Sequence, residues 1–458
     1  MRSPSATRSA LARIGVLVAA VVPRGAILLS ALTFMSYVMG LVRDRTFART
    51  FGAGSELDVY NAALVLPELT LDVLVIAGLS AAFVPVYARL RRDEVAETHD
   101  FARTVLTASI VIMVVVVGIL FVLAPETVAL VAPGFDATEQ TLYVELFRIT
   151  CVTAVIFAAS FALGEMLVVR QRFLAYGLAP VLYNLGIVLG TIVLGASMGI
   201  RGAAIGTVIG ALMHLGIRII AMARTDFRYR PTLHLRTSGF GEYVRLAIPR
   251  AVSAPIEPLT FLFFTSVASS LAAGSISAVS FARNFQSVPV SLIGIAFSVA
   301  AFPVLAGAAA AGDRARFTRL VITNLATISI LTVAAAVTLW LVGGRAVDTL
   351  LGGEAFDAED VATTTMLLGA FALSVPLEAL IQLLSRAIYS THDTILPVLA
   401  SITGLVVTVG AVELLADSRG IVALPLGFAA GLAVRLVLLL VALTVRTRRI
   451  GHSAPAPG

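Results

Sequence analysis

The chain contains no lysine; all 33 of its basic residues are arginine. Charged residues of either sign are scarce, at 13% against about 25% in an ordinary soluble domain. A single cysteine, Cys151, excludes any disulfide within the chain. The five histidines are scattered without metal-ligand spacing, so no metal site is expected. There is no phosphate-binding glycine loop, no nucleophile elbow and no kinase or ATPase motif. Nothing therefore points to an enzyme or to an ATP-driven motor, and no cofactor is expected. The formal charge of +6 invites a nucleic-acid reading. The arginines, however, sit in short loops between apolar segments, where membrane orientation accounts for them.

What is present is apolar: 59% of the 458 residues are hydrophobic, and the mean hydropathy is +0.97. At about 20 residues per span, this describes an all-α polytopic membrane protein. Twelve segments are apolar enough, near 26–48, 58–86, 103–124, 141–168, 174–196, 201–223, 246–271, 278–306, 317–342, 361–389, 395–415 and 420–445. Arginine-rich loops (Arg89, Arg91 and Arg92; Arg170 and Arg172; Arg224 to Arg236; Arg314 to Arg319; Arg446 to Arg449) alternate strictly with acidic or neutral ones such as "APETVALVAPGFDATEQ". The positive set marks the cytoplasmic side, which places both termini there. The predicted layout is a retained, uncleaved lead-in at 1–24, a first six-span lobe at 25–224, a cytoplasmic linker at 225–245, a second lobe at 246–446 and a tail at 447–458.

The two halves resemble each other. "LSAAFVPVYA" (Leu79–Ala88) matches "FSVAAFPVLA" (Phe297–Ala306), "APVL" at Ala179 matches "LPVL" at Leu396, and Gly199, Gly206 and Gly210 match Gly420, Gly427 and Gly431. Six spans per repeat start both lobes on the same side. The lobes are then related by a pseudo-two-fold axis along the membrane normal, an arrangement that builds transporters with a site near the midplane.

Charges inside the spans carry the functional reading, because each costs ~2.5–3.5 kcal/mol near the bilayer centre on insertion scales. Thr33, Ser36, Gly40 and Arg43 recur at helical spacing in the first span. Asp58, Asn61, Glu68 and Asp72 share a face of the second, and Arg250, Ser253, Glu257 and Thr260 a face of the seventh. Ser280, Asn284, Ser287, Ser291, Gly294 and Ser298 form a stripe on the eighth, with Arg283 beside it. Either these faces line a wet cavity, or the glycines and serines serve close helix packing and the charges form structural ion pairs. Glu145, Arg148, Glu165, Glu378 and Arg435 read as structural or interfacial, and His214 as a packed residue. Glu68, Asp72 and Glu257 are the candidates for a cation or proton site, while arginines suit an anionic group such as a diphosphate.

"GLVRD", "FGAGSELDVYNAALVLPEL" and "SAAFVPV" (within Gly40–Val86), "LAPVLYNLGIVLG" and "ASSLAAGSISAVSFARNFQSVPVSLIGIAFSVAAFPVL" (Ala268–Leu305) resemble the MurJ/MviN family of lipid II flippases, in the MOP exporter superfamily that also holds the MATE carriers. The resemblance runs through nearly the whole chain. It implies a cavity between two six-helix lobes, alternating access in the bacterial cytoplasmic membrane, and export of an undecaprenyl-diphosphate-linked peptidoglycan precursor or related lipid-linked saccharide. It also implies drive from Na+, H+ or the membrane potential. The partners would be membrane lipids and that substrate, with the protein acting as a monomer. Arg43, Asp44 and Asp58 match charged family positions; with Asn61, Arg250, Arg283, Asn284 and Ser287 they form the candidate cavity set.

Several family charges are replaced. The "SRVLG" arginine falls at Tyr37, a basic pair at Leu71 and Asp72, a glutamate at Ile76, and "ADR" becomes "ARN" at Ala282–Asn284. The family's extra C-terminal pair of spans is absent. Two further readings stay open: a cation-coupled exporter of small molecules, or a membrane scaffold that kept the fold and lost transport.

Overall fold

Alanine, leucine and valine dominate the apolar segments. In hydrocarbon every backbone amide must be bonded within the chain, which leaves helices as the form these segments can take. The computed structural model describes residues 24–76, 78–93, 95–253, 256–391 and 393–450; the expected lead-in before Arg24 and the tail beyond Ile450 lie outside them. Among the described residues all regular structure is helical.

In chain order the helices are α1 (Arg24–Phe51), α2 (Ser55–Leu71), α3 (Val84–Asp93), α4 (Val95–Val122), α5 (Ala124–Val131), α6 (Ala137–Val169), α7 (Phe173–Met198), α8 (Ile200–Ala223), α9 (Phe240–Ser253), α10 (Ile256–Ala268), α11 (Ser275–Pro289), α12 (Ala296–Ala310), α13 (Arg314–Leu351), α14 (Ala358–Ala372), α15 (Ser374–Tyr389), α16 (Ile395–Arg419) and α17 (Ala423–Arg449). Each of the twelve expected segments falls on one of these helices or on a broken pair. Eight continuous helical stretches among the described residues are long and apolar enough to cross a membrane, or nine if α14 and α15, bent by 40°, count as one span.

The helix starts follow from local chemistry. Asp136 and Glu139 form a reciprocal capping box at α6, each accepting the other's backbone N–H at 2.8–2.9 Å. Asp313 caps α13 through Arg316 N, and Asp357 caps α14 through Glu359 N and Asp360 N. The second span of each half is not a plain α-helix. π-helical turns occupy Asp72–Ile76 and Leu79–Phe83 in the first half and Val290–Ile295 in the second. Such turns insert a residue and rotate whatever follows. The small-residue stripe on the eighth span therefore does not run on as one face. Within the π turn, Gly294 packs so closely on α15 that a Cβ would lie 2.7 Å from Ala379 Cα, and beyond it buried Ser298 accepts a hydrogen bond from Arg386 Nε at 3.1 Å.

The chain forms two compact units that cut across sequence order. One contains the chain up to Arg43, Thr70–Val122 and Arg148–Val252; the other contains Asp44–Leu69, Leu123–Phe147 and the chain from Ser253 onward. In the first unit α7 and α8 form a hairpin whose glycines meet backbone to backbone, and α6 packs His214 and Arg218 into a buried polar core. Ser160 Oγ lies 2.7 Å from His214 Nδ1, and Arg218 Nη1 donates to the Ser160 carbonyl at 2.7 Å. The Arg218 guanidinium lies over the rings of Phe161 and Tyr176. Packed His214 agrees with the sequence reading.

Candidate functional site

The second unit gathers most of the residues singled out in the sequence, in two clusters. The first is a joint built from the two stretches "FGAGSELD" and "AGSIS". Asp58 is buried and caps α11 from outside that helix. Its carboxylate accepts from Gly274 N at 2.8 Å, from Ser277 N at 2.7 Å and from Ser277 Oγ at 2.6 Å. The free amides at the start of α11 thus receive a full negative charge. Asn61, one turn along α2, donates to the same Ser277 hydroxyl at 3.3 Å. Glycine is required twice here. Gly274 has φ +87° and a Cβ there would lie 1.9 Å from the Ala53 carbonyl oxygen; Gly52 has φ +65° and would meet the Ala355 carbonyl at 2.1 Å. Asp44 is buried too and accepts from Asn284 Nδ2 at 2.9 Å. Ser287 turns its hydroxyl back to the Asn284 carbonyl of its own helix, at 2.8 Å.

The second cluster centres on Arg283. Glu378 of α15 takes both guanidinium arms, at 2.9 and 3.0 Å, the forked geometry that makes such pairs strong. Glu257 of α10 lies 3.3 Å from Nη2. Gln286 accepts from Nη1 and donates to Ser374 Oγ at 2.9 Å and Glu378 Oε2 at 3.1 Å. The rings of Phe261 and Phe428 cover the guanidinium at 5.1 and 5.4 Å, adding cation–π attraction. Glu378 is almost fully enclosed, whereas the Glu257 side chain remains 59% exposed.

Beside this cluster lies a cavity of about 160 Å³ whose polar wall includes Glu257, Thr260, Glu378, Gln382, Thr408 and Arg435. It has room for about five water molecules at ~30 Å³ each. The Nε of Arg435 is buried there without a hydrogen-bond partner among the described residues. Two carboxylates and two guanidiniums make the neighbourhood neutral overall. Among the described residues no group of three or more histidine, cysteine, aspartate or glutamate side chains could hold a metal ion.

The other candidates lie elsewhere. Glu68 is exposed on α2. Arg43, half-buried, and Asp72, at the start of the π-helical turn, belong to the first unit. The side chain of Arg250 lies outside the described residues. Gln286, Glu378 and Arg435 are the members that sequence reasoning passed over or set aside as structural. The signal available was their position inside apolar spans, where any ionised or amide side chain needs a partner.

The family profile described as "Lipid II flippase MurJ" matches residues 47–454. Among curated proteins the chain is 28% identical over 373 residues to the probable lipid II flippase MurJ of Thermotoga maritima, covering 81% of this chain and 74% of that one. It is 24% identical over 447 residues to the lipid II flippase MurJ of Burkholderia cenocepacia, covering 95% and 85%. Among solved structures, a lipid II flippase MurJ in an inward closed conformation superposes with TM-score 0.79 at 23% identity, covering 93% of this chain and 90% of that one. An inward-facing MATE multidrug transporter of the MOP superfamily also reaches 0.79, at 14% identity and 94% and 100% coverage. The fold is therefore that of the MOP transporters, a multi-pass helical membrane architecture. Because the profile match runs through the capped joint, the Arg283 cluster and both helix hairpins, the chain belongs to the MurJ lipid II flippase family.

Proposed function

We propose that this chain is an alternating-access flippase for lipid II or a closely related undecaprenyl-diphosphate-linked saccharide, a carrier rather than an enzyme. The observation that carries this reading is the family match across residues 47–454. The protein works in the bacterial cytoplasmic membrane as a monomer with both termini cytoplasmic, an orientation supported by the alternation of arginine-rich loops. Its two six-span lobes are 25–224 and 246–446, and nucleic acid is not a partner.

Arg283 is committed to Glu378, Glu257 and Gln286, so its role is to position the cluster rather than to grip a diphosphate. Arg43, which matches a charged family position, takes the diphosphate in this reading. Coupling to H+, Na+ or the membrane potential is assigned to Glu257. Its carboxylate is the open one of the pair and makes a single long contact to Arg283, while lining a polar-walled cavity beside Arg435.

The test is complementation of cells depleted of their native flippase, with lipid II translocation measured in proteoliposomes. The wild-type chain rescues growth and moves lipid II, and Arg43→Ala inserts but fails to rescue. Glu257→Gln reduces translocation under an imposed gradient by roughly tenfold, within the range of ordinary coupling energies, and leaves the ungated rate unchanged. A wild-type chain that inserts correctly yet moves no lipid II sinks the reading.

A further inference from the structure

The ends of α7 and α8 that lie opposite their connecting turn at Gly199 form a groove with the start of α1. It encloses about 490 Å³. Its walls are apolar, with Leu28, Leu174, Leu178 and Ile220 among them, and Leu174 and Ile220 are more than half exposed. At its mouth stand Arg172, immediately before α7, and Arg224, immediately after α8.

The charges at this end are not treated alike. Arg170, two residues from Arg172, is neutralised by Asp226 and bonded to Tyr87 Oη at 3.0 Å. Arg228 donates to the carbonyls of Thr225 and Phe227. Arg172 and Arg224 are both exposed, and neither guanidinium has a hydrogen-bond or ion-pair partner among the described residues. Two unneutralised guanidiniums therefore bracket an apolar trough at the edge of a membrane-spanning hairpin. A cleft of this size with few convergent polar groups is the usual form of a small-ligand site.

We propose that this groove binds one anionic glycerophospholipid, with its phosphate between Arg172 and Arg224 and an acyl chain along Leu174, Leu178 and Ile220. Guanidinium provides the forked donors that phosphate oxygens accept. The apolar wall supplies the hydrophobic contact that a free phosphate cannot use. Anionic headgroups at a membrane surface are attracted by each nearby arginine, whereas a zwitterionic headgroup carries its own compensating cation. The site is separate from the Arg283 cluster and does not depend on which cargo the chain moves.

The experiment is native mass spectrometry of the full-length, detergent-solubilised protein, titrated with phosphatidylglycerol or phosphatidylcholine. The wild type retains phosphatidylglycerol preferentially. Arg172→Gln combined with Arg224→Gln lowers that preference by roughly tenfold or more, the effect expected of two interfacial arginines, and leaves lipid II binding at the wild-type level. Leu178→Trp, which fills the groove and keeps both arginines, weakens phosphatidylglycerol retention in the same assay. Excess inorganic phosphate leaves the lipid bound. An undiminished preference in the double glutamine variant overturns the proposal, as does equal retention of the two lipids by the wild type. Displacement by phosphate alone also overturns it, since the groove would then contribute nothing.

Discussion

Two helix hairpins in this molecule share a turn and a glycine pattern and end up doing different things. α7 and α8 are joined at Gly199 (φ 58°, ψ −137°), α16 and α17 at Gly420 (φ 53°, ψ −134°). Both dihedral pairs belong to a region that glycine alone occupies comfortably. In the first hairpin glycine faces glycine: a Cβ on Gly186 would lie 2.3 Å from Gly210 Cα, and one on Gly190 would lie 2.2 Å from Gly206 Cα. In the second hairpin Gly431 faces Thr408 and Gly427 faces Val412. The glycines of α8 are kept in α17, while their partners on the preceding helix have become larger. One turn further along, His214 of α8 corresponds to Arg435 of α17, at the offset that relates Gly210 to Gly431. His214 is sealed against Ser160 and the rings of Phe157 and Phe161. Arg435 lines the cavity beside Glu257. One copy of the repeat has become a closed packing unit, and the other keeps a polar chamber open beside its buried ion pair.

The largest expected effect breaks the open side of that comparison. Glu378→Ala leaves the Arg283 guanidinium enclosed with only its long contact to Glu257 and its bond to Gln286. Removing one partner of a buried pair costs about 3–5 kcal/mol, measurable as a lowered thermal midpoint of the purified protein. Glu257→Gln, at the exposed member, leaves that midpoint nearly unchanged. Equal destabilisation by both changes would contradict the division into a structural acid and an open acid.

A smaller effect transplants one hairpin's pattern into the other. Gly186→Thr and Gly190→Val give α7 the residues found at Thr408 and Val412. Each forces side-chain atoms into a backbone contact and costs about 1–3 kcal/mol, the usual range for overpacking. Gly404→Ala, whose Cβ would come only to 3.1 Å of the Gly431 carbonyl oxygen, costs less than either. The ranking is read from denaturation midpoints in one detergent.

The smallest effect lies outside the spans. Arg170 holds the Asp226 carboxyl below its ordinary value through a direct hydrogen bond. A carboxylate whose pKa is depressed on folding stabilises the protein above its unfolded pKa and loses that contribution as pH falls through the folded value. Asp226→Asn is therefore slightly destabilising near neutral pH, by a few tenths of a kcal/mol for a pair this exposed, and indistinguishable from wild type in strong acid. Thermal midpoints across that pH range measure the convergence.

The outline of the fold was legible because hydrocarbon imposes one requirement on every residue of a span. Twelve apolar segments and their alternating arginine loops could be read from composition, and among the described residues each segment falls on a helix or a broken helix pair. The π-helical turns at Asp72–Ile76 and Val290–Ile295 were not legible, since a one-residue change in backbone bonding leaves no mark in an alanine- and valine-rich run. The stripe from Ser280 to Ser298 looked continuous for that reason. Asp58 was conspicuous as a charge in an apolar segment, but its task as a cap for α11 depends on a residue more than two hundred positions away. Glu378 and Arg435 were visible as charges and were undervalued, because nothing local pairs them with Arg283 and Glu257.

Sequence alone determined that this is a helical, polytopic membrane protein built from a repeat. The hydrophobic run lengths, the arginine asymmetry and the recurring glycines are each one-dimensional records of a physical constraint. Tertiary structure decided which charges are spent on one another. Whether a buried guanidinium meets two carboxylates or is left to a ligand depends on which helices pack together, and at distances of about 3 Å that choice governs the electrostatics.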